Sequence, residues 1–223
     1  IVTSEKLKNL FLNITTNVFK ITNGFDYINK EINLDKKFSI SHVGSLYPER
    51  NPKFLWDVLE ELFDGSLFSD LQINFIGNTS EKIKKELSKR KFKKSIKFYD
   101  YVDYNKATEL MCSSQVLLMV EVNDEESSYA IPGKLFDYLN SKRPIISIGP
   151  TDSEVAQILN NTASGKFFNY HEAHSLKSHI KKLYDRFKNG SNNSNTNQSI
   201  ENYNRKNLTR ELSEIIGLVT RKS

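Results

Sequence analysis

Residues 115–148 read QVLLMVEVNDEESSYAIPGKLFDYLNSKRPIISI, and their pattern decides the fold. The stretch opens on a nearly all-apolar run, Gln115–Val120, and closes on another, Pro144–Ile148. Apolar runs of strand length without alternation suit strands buried on both faces of a sheet. Between them Leu135, Phe136 and Leu139 share one face of a short helix, and Pro132 fits its first position, where a missing N–H costs nothing. Strand, helix and strand in this order make a right-handed βαβ unit of a parallel sheet.

The pattern extends both ways. Apolar runs recur at Phe38–Val43, Leu71–Ile76, Ile96–Tyr99 and Lys166–Phe168. Helical spacing separates them: Phe54, Leu55, Val58, Leu59 and Leu62 form one stripe, followed by Ile83 with Leu87, Ala107 with Leu110 and Met111, and Val155 with Ile158 and Leu159. The expected class is α/β, a Rossmann-like parallel sheet of about six strands with helices on both faces. Residues 37–189 hold this domain. Residues 1–36 read as a helix (Ser4–Leu12), a short strand (Val18–Ile21), a turn at Asn23-Gly24 and a linker. Residues 190–199 (GSNNSNTNQS) read as a mobile polar linker, and 200–223 as a C-terminal helix with Leu208, Leu212, Ile215 and Ile216 on one face.

Composition narrows the function classes. The 223 residues are 38% hydrophobic and 26% charged, enough for one sizeable core. No apolar run approaches the roughly 20 residues that span a bilayer. The chain opens without a basic leader or an initiator Met, so a preceding segment is expected. Its one cysteine, Cys112, excludes an internal disulfide framework and fits a reducing, cytoplasmic compartment, as an inert thiol on a helix. The net charge of +5 owes much to residues 82–97, KIKKELSKRKFKKSIK. That run reads as a solvated helix face or as a surface attracted to anionic lipid, which would make the protein peripheral at the inner membrane surface. No zinc spacing or RNP-like motif accompanies it, so no nucleic-acid partner is expected.

In an open parallel sheet, ligands bind outside the carboxyl ends of the strands, so chemistry is sought in the loops that follow them. After the first strand, Gly44 would let a ligand approach the backbone, and Arg50 could fork onto a phosphate. The same stretch also reads as a tight turn with a surface arginine. After Gln115–Val120, the N–H groups of Gly133 and Lys134 at a helix start, with the lysine charge, form an anion site. Asp137, one turn in, could accept from a vicinal diol such as a ribose; the alternative is a capped helix with solvated Lys134 and Asp137. Gly77 and the segment Tyr99, Tyr101 and Val102 could wall a base pocket, or pack on the edge of the core.

Taken in order, these motifs resemble the C-terminal domain of group 1 glycosyltransferases, a retaining family with the GT-B fold. The resemblance rests on Asn23-Gly24-Phe25-Asp26, Val43-Gly44-Ser45-Leu46, Arg50-Asn51-Pro52, Ile76-Gly77, Lys134–Leu139 and Lys142-Arg143-Pro144-Ile145-Ile146, and spans roughly residues 17–185. It implies transfer of a sugar from a nucleoside diphosphate to an acceptor such as a glycan or lipid-linked glycan, with retention and without a metal or other cofactor. It implies Gly44, Arg50, Gly133 and Lys134 at the diphosphate, Asp137 at the ribose, and Gly77, Tyr99, Tyr101 and Val102 at the base. It also implies a partner N-terminal acceptor domain, of which residues 1–36 would be the tail end. Two positions depart from the family pattern. Ser45 replaces a basic residue, and Tyr129 stands where a carboxylate would hold donor-sugar hydroxyls, with Asp124, Glu125 or Glu126 as neighbouring substitutes. The departures leave open a non-catalytic nucleotide-binding or interaction domain on the same scaffold. No catalytic residue is assigned.

Overall fold

A computed structural model describes residues 1–28, 32–124, 126–191 and 198–220. Six strands form one parallel sheet: β1 (Phe38–Val43), β2 (Leu71–Ile76), β3 (Ile96–Tyr99), β4 (Val116–Val120), β5 (Ile145–Gly149) and β6 (Gly165–Asn169). Their spatial order is β3-β2-β1-β4-β5-β6, so the direction of winding reverses between β1 and β4. Those two strands pair only at Ile40–Val116 and Ser41–Leu117, whereas β1 pairs with β2 along its whole length. Beyond Ser41 the β1 and β4 ladder therefore stops, and a crevice opens at the carboxyl end of the sheet.

The alternation of β4 explains its all-apolar sequence. Val116, Leu118 and Val120 face a core built with α2 (Lys53–Leu62), α3 (Glu81–Leu87) and α7 (Ala173–Lys188). Leu117 and Met119 face the other core, built with α4 (Tyr104–Ser113), α5 (Lys134–Ser141) and α6 (Glu154–Thr162). Helix starts are set by short polar side chains. Ser80, Asp103 and Ser153 accept from the backbone N–H groups of Ile83, Lys106 and Val155, at the heads of α3, α4 and α6. Helix α5 ends with Lys142 in the left-handed conformation (φ 57°), and Pro144 follows shortly after.

Helix α1 (Glu5–Leu12) forms as expected, with Ser4 as its cap. The strand expected at Val18–Ile21 does not: Lys20 makes a single bridge with Val2, because no neighbouring strand lies alongside to extend it. The basic stretch 82–97 is not one helix face. It divides into α3, a 3-10 turn at Lys91–Ser95 and edge strand β3, with Ile83, Leu87 and Phe92 buried beneath exposed lysines. Most of the expected linker at 190–199 lies outside the described residues. Gln198–Tyr203 is a 3-10 turn, leading to α8 (Arg205–Thr220). On α8 only Leu208 of the expected apolar face is buried, and Ile216 stays exposed. No described helix is long and apolar enough to cross a membrane. Burial pushes the Cys112 thiol up to about 11, as befits an inert cysteine.

Candidate functional site

The crevice between β1 and β4 is lined by groups whose sequence positions lie far apart. The last residues of β1 turn out at Gly44, in a conformation with φ 105° that favours glycine. The Gly44 N–H donates to the Ile76 carbonyl (2.8 Å), so it belongs to the sheet and this glycine contributes space. A Cβ on Gly44 would stand 3.8 Å from Lys134 Nζ.

From the head of α5, Lys134 reaches back across that space. Its Nζ lies 3.3 Å from the Val43 carbonyl and 3.5 Å from His42 Nε2. Burial, then the nearby Arg50 charge, push Lys134 down to about 7, with Glu121 opposing them. His42 is itself buried, and burial followed by Lys134 holds it well below the usual imidazole range. Its Nδ1 lies 3.0 Å from the Leu118 carbonyl, which can only accept, so the proton sits on Nδ1 and the Nε2 lone pair faces Lys134. One turn further along α5, the buried Tyr138 hydroxyl accepts from the Val43 N–H (2.9 Å) and donates to the Leu118 carbonyl (3.3 Å). Imidazole and phenol together thus satisfy backbone groups that the interrupted ladder leaves without strand partners.

Glu121 directly follows β4 and is buried. Its Oε2 accepts from Ser153 Oγ (2.8 Å), and its carbonyl accepts from the Tyr170 hydroxyl (2.8 Å). The space for its carboxyl comes from Gly149, where a Cβ would stand 2.6 Å from Oε2. Burial pushes Glu121 up to about 7, against the opposing pull of Ser153, Lys134, Arg50 and Lys6. Half-buried Arg50 closes the 3-10 turn Pro48–Arg50 on the same side.

The residues singled out in the sequence fall into two groups. Gly44, Arg50, Gly133 and Lys134 converge at the β1 and β4 crevice. Asp137 is half-buried one turn along α5 and faces Tyr104 and Arg205; burial raises its carboxyl while both neighbours lower it. Toward the β3 edge, Gly77 (φ 115°) is packed against the Gly44 backbone, with a Cβ position 3.1 Å from the Gly44 carbonyl atoms. Tyr99 and Val102 are half-buried there, while Tyr101 is 95% exposed and turns away from the group. Helix α5 starts at Lys134 with Gly133 as its cap, so Pro132 sits just ahead of the first turn and its carbonyl accepts from the Leu135 N–H. Asp124 lies in the loop after β4; Glu125 and the Glu126 side chain lie outside the described residues. His42, Glu121, Tyr138, Ser153 and Tyr170 were not foreseen. Glu121 carries the one local signal that could have found it, a carboxylate placed directly after a fully apolar strand.

No protein-family model and no curated protein matches the sequence. Solved structures do match. A TarM mutant of S. aureus, crystallised with fondaparinux, alpha-GlcNAc-glycerol and UDP, matches at 14% identity and a TM-score of 0.71, over 96% of this chain and 43% of that one. Anabaena HepE, in complex with UDP-glucose, matches at 11% identity and 0.71, over 97% and 62%. The lipopolysaccharide outer core galactosyltransferase WaaB, in its apo form, matches at 14% and 0.73, over 96% and 60%. These neighbours are GT-B glycosyltransferases, and this chain has the fold of a Rossmann-like domain of that architecture. It spans between about two-fifths and three-fifths of their lengths.

Proposed function

We propose that this chain is the donor-binding half of a retaining glycosyltransferase, moving a sugar from a nucleoside diphosphate to a glycan or lipid-linked glycan. The observation that carries the reading is the Lys134 ammonium. It is held at the switch point of the sheet by a carbonyl and a neutral imidazole, with Arg50 adding like charge. Among the described residues no carboxylate stands within ion-pair distance of it. A half-buried cation without a counter-ion is unfavourable, so the crevice favours an anion. A diphosphate over the head of α5 would meet the Lys134 and Arg50 charges and the first N–H groups of the helix. As it leaves, the same donors would stabilise its developing charge. Asp137 would take the ribose hydroxyls, and the base would lie toward Gly77, Tyr99 and Val102. That HepE was crystallised with UDP-glucose and the TarM mutant with UDP supports a nucleotide-sugar donor.

Calorimetric titration of UDP and GDP tests this. Weak binding is expected for the chain alone. Asp137→Ala should cost about 1.5–3 kcal/mol, the range for hydrogen bonds to a charged group. Lys134→Ala should weaken the diphosphate more than the bare nucleoside. Unchanged affinity in both variants, with the fold intact, would overturn the assignment. Ser45 and Tyr129 favour a second reading, a nucleotide-binding domain that does not transfer. Turnover of the donor by the chain joined to an acceptor domain separates the two. In either reading the exposed lysines around α3 and β3 suit contact with an anionic membrane surface.

A further inference from the structure

The loop that carries Arg50 is anchored at both ends, and the second anchor is a side chain. At its start Leu46 is fully buried; its N–H donates to the Asn78 carbonyl (2.9 Å) and its carbonyl accepts from the Ser80 N–H (3.0 Å). At its end stands Asn51. Its Oδ1 accepts from the indole N–H of Trp56 (2.7 Å), and its Nδ2 donates to Glu86 Oε2 (2.9 Å). An indole N–H only donates and a carboxylate only accepts, so the two partners fix which way the amide points. Both are held in turn. Trp56 is fully buried and meets Phe75 edge-on, with 5.9 Å between ring centroids. Glu86 lies 3.7 Å from Arg90, which also pairs with Asp57 and Glu60 of α2. Arg90 belongs to the basic run 82–97, yet it ties the end of α3 to α2 while the lysines around it stand in solvent.

We propose that Asn51 is a positioning residue: its amide, clamped between Trp56 and Glu86, sets where the Arg50 guanidinium meets a diphosphate. The proposal rests on the placement of Arg50 at the diphosphate in the reading above and deepens it. The backbone alone gives the turn little rigidity. Pro48–Arg50 is three residues long, and its closing bond, from the Asn51 N–H to the Pro48 carbonyl, is long at 3.3 Å. Tyr47 beside it is 47% exposed and offers no packing to hold it. Short 3-10 turns have poor hydrogen-bond geometry, and an arginine side chain has many rotamers to lose. Arg50 is the residue next to Asn51, so any drift of that amide moves the root of the arginine side chain. The Arg50 charge reaches Lys134, His42 and Glu121 across the crevice. The turn therefore stands opposite the head of α5. Its drift would alter the spacing of the two cations that grip the ligand, and contacts of that kind are lost over small displacements.

The test is a double-mutant cycle, read by calorimetry on UDP or GDP and on the matching nucleoside. Asn51→Ala should weaken the diphosphate by about three- to tenfold, within the range of couplings between neighbouring residues, and leave the nucleoside unchanged. In an Arg50→Ala background, Asn51→Ala should cost nothing further, an outcome that a merely structural role does not produce. Glu86→Ala should reproduce the loss, and Glu86→Gln, whose amide oxygen still accepts from Asn51, should recover wild-type affinity. This pair carries the test where Asn51→Ala, which strands the buried Trp56 N–H, fails to fold. No loss, or equal losses with and without Arg50 or in the two Glu86 variants, would overturn the positioning role while the nucleotide reading stands. If Arg50→Ala binds the diphosphate as wild type does, or wild type binds neither ligand, the reading itself falls at Arg50 and takes the proposal with it.

Discussion

Two lysine-bearing regions of this molecule follow opposite rules. At the β1 and β4 crevice a single ammonium, Lys134, is enclosed by a neutral histidine, a carbonyl and a distant carboxylate, and burial pushes it down to about 7. At the α3 and β3 corner Lys82, Lys85, Lys89, Lys93, Lys94 and Lys97 all stand in solvent. The corner lysines keep a strand edge soluble and act only through their summed field. The crevice lysine lies against one carbonyl and one imidazole, and its charge is governed by its own surroundings. Density of charge along the sequence therefore points away from the position where charge has most chemical leverage.

The largest effect that would break this comparison is on ligand binding against pH. Under the proposed function, a bound diphosphate would favour protonated Lys134, so its pKa would rise in the complex and binding would take up a proton. Glu121 acts in the same direction, since its ionised form repels the ligand. Affinity should be greatest below pH 7 and fall as pH rises through 7, by up to about tenfold per unit for each coupled proton. Calorimetry in buffers of different ionisation enthalpy would measure the uptake, and pH-independent affinity between 6 and 8 would refute the linkage. Next comes the seam between the two regions. Gly77→Ala places a Cβ 3.1 Å from the Gly44 backbone at a φ of 115°, and should lower stability by about 1–3 kcal/mol in denaturant melts. Gly133→Ala has open space and a helical φ, and should not.

A smaller effect sharpens the account of Glu121. Its folded pKa is raised from 4.5 to about 7, so the folded state binds the proton more tightly than the unfolded one. That contribution is present below 4.5 and is lost as pH rises to 7 and beyond. Glu121→Gln should therefore raise the melting temperature at pH 8 relative to wild type and change it little at pH 5. An equal shift at both values would show that the carboxyl is not held neutral. The smallest effect belongs to the corner. Replacing Lys93, Lys94 and Lys97 with Ala should alter stability by less than about 0.5 kcal/mol each and leave nucleotide affinity untouched. Flotation with vesicles rich in anionic lipid should decline in the triple variant.

The legible part of the fold was what periodicity records. Buried strands such as Val116–Val120 and one-sided helices such as Lys53–Leu62 announce themselves locally, and the six parallel strands follow from their alternation. The segment Val18–Ile21 looks like a strand because its composition allows one; pairing is non-local, and only Lys20 finds a partner. The helix N-terminus with Lys134 and Asp137 was visible as a motif. The seating of Lys134 against β1 was not, because it depends on Gly44 and His42, some ninety residues away. Glu121 and Ser153 meet only once β4 and β5 lie side by side and Gly149 leaves room.

The short pairing of β1 with β4 has one more consequence. Where the ladder ends, Tyr138 and His42 act as spacers, holding Val43 and Leu118 apart by side-chain bonds where other strands use peptide groups. The width of the opening is consequently written in two replaceable side chains and not in the register of the sheet. A lineage, or an engineer, could resize the mouth by exchanging a phenol or an imidazole while every strand kept its neighbours.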